Sequence, residues 1–284
     1  MAHCWCGSGL PYEDCHKNSD LRLEALHKKG ERVPPKTLVK NAAQIEGIRR
    51  ASKINSLVLD AVAEKIRVGM TTGEIDRIVD RTTRALGGIP APLNYEGFPK
   101  SVCTSVNDVV CHGIPSDGVV LKEGDIVNVD CTTIVDGFYG DASRMFTFGP
   151  LSPAAEKLVR VTKESVEIAV EHLYPCCHLG DVGFYIDRHA RKNGFSVVRE
   201  IGGHGCGLKM HEEPYVCHIG KKGKGMVLVP GMIFTIEPMI NEGSPLFTVD
   251  KTDGWQVRTI DGGLSAQVEH MILITEEGYE ILSA

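Results

Sequence analysis

The sequence has no apolar run long enough to cross a membrane. A membrane helix needs ~20 consecutive apolar residues, and the chain contains no such run. The N-terminus, MAHCWCGSG, also lacks the basic start and apolar stretch of a signal peptide. We therefore expect a cytoplasmic protein that does not enter membranes.

The chain also lacks an excess of positive charge. Its 31 Lys and Arg residues face 37 Asp and Glu residues, for a net charge of -6. This balance argues against a large nucleic-acid footprint, so we expect no direct nucleic-acid specificity. The other figures, 284 residues that are 42% hydrophobic and 24% charged, are those of a globular protein with one large domain or two smaller ones.

Cysteine, by contrast, is plentiful, with ten residues. In a reducing compartment, cysteines indicate metal ligands or small core residues rather than disulfides. Four soft or borderline ligands fall in CWCGSGLPYEDCH, where Gly7 and Gly9 permit a tight loop, and they are enough for a tetrahedral zinc site. A disordered cysteine-rich tail is the alternative. The ligands are Cys4, Cys6, Cys15 and His16.

The chain divides into a cysteine-rich start at 1–16, a polar linker at 17–38 with a short helix at 20–28, and a main domain at 39–284. Apolar periodicity predicts two helices followed by strands, and then the same order again. This indicates an α+β fold with two related halves around one central sheet. The predicted helices are 41–67, 72–86, 152–173 and 179–193. Several predicted strands lie within 101–148, and further strands are predicted near 196–201, 215–219, 232–240 and 267–275.

The stretch VNVDCTTIVDGFYGDAS reads as a β-hairpin with Asp136-Gly137 as its tight turn. That turn pairs Thr132 with Asp141 and places Asp130 diagonal to Asp141 on the same face. Diagonal neighbours lie roughly 7–8 Å apart, within reach of one bound ion. By itself the hairpin leaves a solvated polar face as the alternative.

Other polar residues stand where a purely structural chain does not need them. His204 lies among glycines in EIGGHGCGLKMHEEP, with His211 further along. Glu237 and Glu269 fall in apolar runs, where an unpaired carboxylate is costly. Each has an ordinary alternative: a satisfied core histidine for His204 and a strand edge for Glu269. For Glu237 the alternative is the cap of an element or a pair with an arginine such as Arg144. Together with the hairpin acids, they favour a metal site.

Four carboxylates and one imidazole suit hard or borderline divalent ions. Their negative charge balances about two such ions, and centres with two metals roughly 3.5–4 Å apart catalyse hydrolysis. The sequence therefore predicts hydrolytic chemistry at a dinuclear site.

Five blocks in order resemble the signatures of type I methionine aminopeptidases, across residues ~40–284. This resemblance implies the pita-bread fold, in which duplicated αβ halves surround a shared antiparallel sheet. It also implies hydrolytic removal of the initiator methionine from nascent proteins, with a preference for a small second residue. The blocks are YEGFPKSVCTSVNDVVCHGIP, GDIVNVDCTTIVDGFYGDAS, GGHGCG, FTIEP and VEHMILIT.

The resemblance places the five metal ligands by position on Asp130, Asp141, His204, Glu237 and Glu269. Asp141 and Glu269 would bridge two divalent ions, cobalt, manganese, iron or zinc. Asp130 would complete one site, and His204 with Glu237 the other. In the family, a water that bridges the two ions attacks the methionine carbonyl.

The resemblance also implies catalytic roles for His112, His211 and Glu237. His112 would hydrogen-bond the scissile amide, and His211 would stabilise the oxyanion. A monovalent cation would bind backbone groups near Val102, Asn107 and Ser265. The substrate pocket, with aromatic rings that suit a thioether, would consist of Tyr95, Phe98, Cys103, His112, Met210, His211 and Trp255.

Residues 1–16 resemble the SEC-C motif, a small zinc-binding module. This resemblance implies a structural zinc and a partner-docking role, for which the ribosome or the nascent-chain machinery is the expected partner. We expect the enzyme itself to be a monomer.

Two alternatives remain open from the sequence. Proline-specific peptidases share the five-ligand pattern, although they usually carry a large extra N-terminal domain that ~38 residues cannot form. Pita-bread domains can also lose their metals and serve as binding proteins, although such relatives typically lack ligands.

Overall fold

Five α-helices form in the computed structural model, which describes residues 3–284. The four helices predicted for the main domain are confirmed, although α2 ends four residues before its predicted end at 67. The helices are α1 Lys17–Lys28, α2 Ala42–Ala63, α3 Thr72–Ala85, α4 Pro153–Glu171 and α5 Leu179–Lys192. None of the helices within residues 3–284 combines the length and apolar character needed to span a bilayer.

Local sequence explains where the helices start. The Asn41 side chain accepts from the Gln44 backbone N–H, and the Gln44 side chain accepts from the Asn41 backbone N–H. These two hydrogen bonds form a capping box. Thr71 and Glu74 form the same predicted box on α3. Ser152 caps α4, and Pro153 occupies its first turn.

Apart from β4 and β5, which have ten residues each, the strands are short, and their ladders are antiparallel. Instead of one continuous sheet, the hydrogen bonds define four sheets, with the orders β1-β4-β2 plus β5 on β4, β13-β10-β6, β11-β12-β3 and β15-β14-β9-β7-β8. The strands are β1 Ile89–Pro90, β2 Cys103–Val106, β3 Val109–Cys111, β4 Ile126–Val135, β5 Phe138–Thr147, β6 Ser196–Val197, β7 Gly203–Gly205, β8 Glu212–Val216, β9 Ile233–Ile236, β10 Met239–Asn241, β11 Phe247–Val249, β12 Val257–Thr259, β13 Ser265–Gln267, β14 His270–Ile274 and β15 Tyr279–Ser283.

Two of the predicted long strands are interrupted at the predicted site residues. The segment 232–240 breaks into β9 and β10 around Glu237, where Pro238 has no N–H to donate to a ladder. The segment 267–275 breaks around Glu269 into β13 and β14. The strand predicted at 215–219 begins three residues earlier, at Glu212.

The β4–β5 hairpin has the predicted register. Thr132 pairs with Asp141, and both turn residues, Asp136 and Gly137, have the positive φ of a tight two-residue turn, 51° and 81°. One face of β4 packs its apolar side chains on α2 and α3, and the opposite face carries Asp130.

The two helix pairs cover separate cores. α2 and α3 pack against β4 and β5 through residues such as Leu59 and Ile75. α4 and α5 pack against a larger core that includes Leu158, Ile186 and Phe234. The strands thus lie between helical layers, and the predicted metal ligands lie on the strands or at the breaks between them.

The segment predicted as a linker at 17–38 packs against the main domain. Leu23 of α1 and Leu38 are buried in the same core as α4 and α5. Arg22 pairs with Glu276 at 2.6 Å, and the backbone of Arg32 accepts from Val227 N–H at 2.9 Å. Contacts at Arg22, Leu23, Arg32 and Leu38 therefore hold the segment against the main domain. The domain boundaries themselves stay a prediction.

Gly140 on β5 sets how closely α2 approaches the hairpin. A Cβ at this position would lie 2.4 Å from the Ser52 backbone nitrogen on α2. Gly140→Ala should therefore destabilise the fold by about 1–3 kcal/mol, as overpacking against backbone typically does. Denaturant unfolding measures this effect. Gly278→Ala is the matched control, since nothing lies within 4 Å of its added Cβ, and an equal loss in both variants would contradict the prediction.

Candidate metal centre and active-site pocket

The hairpin brings Asp130 and Asp141 to one face, as its register predicts. Asp130 lies opposite Ser143, and Asp141 lies opposite Thr132. Thr132 Oγ1 donates to Asp141 Oδ1 at 2.8 Å. This bond fixes one carboxylate oxygen and leaves the other directed towards His204, whose Nε2 is 3.9 Å from Asp141 Oδ2.

His204 lies on β7 between two glycines that the packing requires. A Cβ at Gly203 would lie 2.4 Å from Thr235 O, and one at Gly205 would lie 2.1 Å from Glu213 O. The His204 Nδ1–H donates to the Gly205 carbonyl at 3.0 Å. The Nε2 lone pair of the neutral ring is consequently free to act as a metal ligand.

The two glutamates lie at the breaks between strands. Glu237 follows β9, and Thr235 Oγ1 and Gln267 Nε2 donate to its carboxylate at 2.7 and 3.1 Å. Glu269 precedes β14, and its N–H donates to Ser143 O at 3.3 Å, next to the hairpin. The alternative partner for Glu237, Arg144, instead binds Asp60 and the backbone oxygen of Ala284.

The structure brings all five predicted ligands together. Ligand atoms of Asp130, Asp141 and Glu269 lie within 4.8 Å of one another, and those of His204, Glu237 and Glu269 form a second such group. Glu269 belongs to both groups. A third group joins Asp141 and His204 to Cys206, whose Sγ is 3.9 Å from Asp141 Oδ2.

Burial shifts the pKa values of the residues in this cluster. Burial raises the pKa of Asp141 to about 7, and burial together with Asp141 raises the pKa of Asp130 well above its usual value. Burial and the neighbouring acids also raise the pKa values of Glu237 and Glu269. Burial, then the nearby His211, lowers the pKa of His204 to about 4, so the ring is neutral near pH 7.

Such a cluster needs compensating positive charge. No Lys or Arg within residues 3–284 forms an ion pair with these four carboxylates; their one close basic partner is His204. Buried like charges repel unless a cation lies between them. Oxygen and imidazole donors are those that divalent ions such as manganese, iron, cobalt or zinc accept, so the residues fit a metal centre.

A cavity of about 320 Å³ opens onto the cluster. All seven residues predicted for the substrate pocket line it, together with the five predicted metal ligands. Sequence reasoning did not single out Thr132, Ile201, Gly202, Gly203 and Tyr215 for the pocket. Tyr215 had no local signal, because an exposed tyrosine on a short strand is ordinary. The seven predicted residues are Tyr95, Phe98, Cys103, His112, Met210, His211 and Trp255.

Two histidines face the cavity beside the cluster. The Tyr95 hydroxyl lies 2.9 Å from His211 Nδ1, and the His211 ring packs edge-on to His204 at 4.4 Å between centroids. His112 follows β3 with a left-handed φ of 55° and packs edge-on to Trp255. Burial lowers the pKa of both histidines, that of His112 to about 4, so both rings are neutral near pH 7.

Two buried residues support Glu237 without a signal in the sequence. His218 is 1% exposed, and its Nε2 accepts from the Glu237 N–H at 3.1 Å. Gln267 holds the Glu237 carboxylate, as described above. Their role depends on the way that β8, β9 and β13 meet, so neither could be found from local sequence.

The N-terminal segment contains a second donor cluster. The ligand atoms of its three cysteines and one histidine lie within 4.8 Å of one another, and Gly7 and Gly9 have φ of 76° and 74°. The loop therefore turns as the sequence predicts. The cluster consists of Cys4, Cys6, Cys15 and His16.

Buried oxygen and nitrogen donors at the end of a cavity are the arrangement of a metal-dependent hydrolase. Comparison with known proteins identifies the class more closely. The model of metallopeptidase family M24 matches residues 46–276, and that of the SEC-C motif matches residues 3–18. The chain therefore belongs to metallopeptidase family M24 and, within it, to the type I methionine aminopeptidases.

Three relatives support the narrower assignment. Methionine aminopeptidase A of Synechocystis is 51% identical over 84% of this chain and 94% of its own length. Methionine aminopeptidase of Chlamydia muridarum is 42% identical over 99% of this chain and 97% of its own. The crystal structure of the Rickettsia prowazekii methionine aminopeptidase is 42% identical, with a TM-score of 0.84, and covers 87% of this chain and 99% of that one.

These likenesses confirm the predicted pita-bread fold and the metallo-aminopeptidase class. A prolidase from Pyrococcus furiosus shares the fold at 22% identity and a TM-score of 0.69. Membership in family M24 implies divalent metal ions, and the carboxylate cluster is the candidate site for them.

The raised pKa of Asp141 predicts a pH-dependent stability in chelator. A carboxyl whose folded-state pKa is raised stabilises the fold while it is protonated, and this stabilisation is lost as the pH rises from the unfolded value of 3.8 towards about 7. Asn resembles the protonated acid at every pH. Asp141→Asn should therefore have a higher Tm than the wild type at about pH 8, and the difference should vanish near pH 4.

Thermal unfolding across this pH range in chelator measures the difference. Excess divalent metal should reverse the order at high pH, because the ion stabilises the intact cluster more than the variant. A Tm difference that is the same at both pH values would contradict the prediction.

Proposed function

We propose that this protein removes the N-terminal methionine from nascent polypeptides by metal-dependent hydrolysis, and that it favours a small second residue. One observation carries the proposal. Five candidate metal ligands converge at the end of a cavity whose remaining walls are largely apolar and aromatic. The identities of 42–51% to methionine aminopeptidases support the same substrate.

The donor groups support two divalent ions. Asp130, Asp141 and Glu269 would hold one ion, and His204 and Glu237 would hold the other with Asp141 and Glu269 shared between them. When bound, the ions would lower the pKa of a coordinated water and polarise the peptide carbonyl. Cobalt, manganese, iron and zinc are all compatible with these donors.

The neutral histidines would handle the substrate's amide and carbonyl. If the Tyr95 hydroxyl donates to His211 Nδ1, the proton of that ring lies on Nε2 and can be donated to the oxygen on which negative charge develops. His112 would hydrogen-bond the scissile amide from the other wall of the pocket. Burial keeps both rings uncharged, so neither repels the metal ions.

The pocket walls suit a methionine side chain. Phe98 and Trp255 pack edge-to-face at 5.2 Å between centroids and supply aromatic surface to a thioether. Cys103 and Met210 add polarizable sulfur. Because burial raises the pKa of the Cys103 thiol well above its usual value, this residue acts as an apolar wall and not as a nucleophile.

We also propose a monovalent cation near Val102, Asn107 and Ser265. The Ser265 N–H donates to Asn107 O at 2.8 Å, and the buried Ser265 Oγ has no hydrogen-bond partner among the described residues. An unpaired buried oxygen of this kind is a suitable cation ligand. The enzyme would act as a cytoplasmic monomer, and its ten free cysteines suit a reducing compartment.

Release of methionine from Met-Ala-Ser tests the function directly. Metal-loaded wild type should release free methionine, and stripped protein should not, because without the ions nothing lowers the pKa of the water or polarises the peptide carbonyl. Asp141→Asn should bind less metal by elemental analysis and should lose the activity. An X-Pro dipeptide is the control substrate and should be cleaved far more slowly. Hydrolysis of the X-Pro dipeptide alone would assign a proline-specific peptidase, and equal metal content in both proteins would favour a binding protein.

The N-terminal cluster is proposed to hold one structural zinc and to dock the ribosome or the nascent-chain machinery. His16 Nδ1 lies 3.2 and 3.1 Å from the Cys4 and Cys15 sulfurs, a contact set suited to one tetrahedral ion. The whole domain assignment, 1–16, 17–38 and 39–284, is part of this proposal.

Cys15→Ser should lower the zinc content by one equivalent, because it removes one of four ligands, and elemental analysis measures this. Cys176→Ser, outside the cluster, should retain the zinc. Deletion of residues 1–16 should weaken ribosome co-sedimentation. Unchanged co-sedimentation would count against the docking role.

A further inference from the structure

A short loop between β7 and β8 carries two side chains of the pocket, Met210 and His211. The carboxylate of Glu212, directly after the loop, binds back to its backbone. Glu212 Oε1 accepts from the N–H groups of Leu208 and Lys209 at 2.6 and 3.0 Å. The conformation of the loop therefore depends on where this carboxylate lies.

The other oxygen of Glu212 binds a buried lysine. Lys40 Nζ lies 2.6 Å from Glu212 Oε2, and the two side chains are 3% and 13% exposed. A lysine this deeply buried is costly unless its charge is paired. Here the ammonium and the carboxylate pair with each other, and the second oxygen of Glu212 still accepts hydrogen bonds from the loop.

The backbone of Lys40 is itself held in place. Its N–H donates to Gly231 O at 2.8 Å, and it directly precedes Asn41, the N-cap of α2. A Cβ at Gly231 would lie 3.1 Å from Lys40 O, so the two segments are in close contact. The ammonium thus projects from a fixed point on the main domain towards the loop.

We propose that Lys40 is a positioning residue for the peptidase reaction. Its ammonium orients Glu212, which in turn holds the 206–211 loop so that Met210 and His211 face the pocket. Lys40 does not line the cavity, so it acts only through Glu212. The inference rests on the proposed function, because that function gives His211 and Met210 their tasks.

Four substitutions test this role, and the two at Lys40 separate the charge of that residue from its packing. Lys40→Met keeps most of the side-chain volume but leaves Glu212 without its cation. Lys40→Arg restores the charge. Lys36→Met is the matched control, because it breaks a 2.6 Å pair with Asp20 in the same segment that does not reach the loop. Glu212→Gln, which keeps one side-chain oxygen as an acceptor for the loop, is the substitute variant if Lys40→Met does not fold.

Steady-state kinetics on Met-Ala-Ser test the proposal. The assays contain saturating metal and are run at a temperature well below the Tm of every variant. Lys40→Met should lower kcat/KM by about 10- to 100-fold, the loss that a small misplacement of reacting groups causes. KM should rise because Met210 is displaced from the substrate pocket, and kcat should fall because His211 is displaced from the oxyanion. Lys40→Arg should recover most of the loss, and Lys36→Met should match the wild type. The kcat/KM of Glu212→Gln should also be lower than that of the wild type, as for Lys40→Met.

A purely structural role would lower Tm and leave kcat and KM of the folded enzyme unchanged, and this result would overturn the proposal. Amide hydrogen exchange gives a readout without activity. Exchange at Leu208 and Lys209 should be faster in Lys40→Met than in the wild type or Lys36→Met. If the wild type itself releases no methionine, the proposed function fails, and the exchange rates alone decide whether Lys40 positions the loop. Equal exchange rates at these two amides in all variants would overturn the positioning role of Lys40.

Discussion

The repulsion among four buried carboxylates is the interaction on which the rest of this structure depends. Asp130, Asp141, Glu237 and Glu269 come from the hairpin and from two strand breaks, and no Lys or Arg of the described chain pairs with them. Thr132, Thr235 and Gln267 donate to individual oxygens, but neutral donors cannot cancel the charge. Divalent ions can, so the same cluster that destabilises the metal-free fold has the donors for a metal centre.

Close backbone approach is what brings these acids together. Gly203 and Gly205 let β7 pass within van der Waals distance of its neighbours, so that His204 reaches Glu237. Gly140 lets α2 lie directly on the hairpin that carries Asp141. Each glycine gives up side-chain packing, and the fold compensates with the helical layers on either side.

Side-chain contacts hold the segment that precedes the main domain. Asp20 of α1 accepts from Tyr12 and Lys36 at 2.8 and 2.6 Å, which joins the cysteine-rich loop to the chain that leads into the main domain. That chain ends at Lys40, beside Glu212.

The sequence by itself determined the elements that depend on near neighbours. Apolar periodicity and capping residues located the main helices, and Asp136-Gly137 set the register that places Asp130 and Asp141 on one face. Ligand chemistry and the signature blocks named the five donors. Tertiary structure decided the rest: the packing of Leu23, the breaks at Glu237 and Glu269, the support from His218 and Gln267, and the pair between Lys40 and Glu212. That pair joins residues 172 positions apart, and no local pattern reports which distant side chains will meet when the apolar faces are buried.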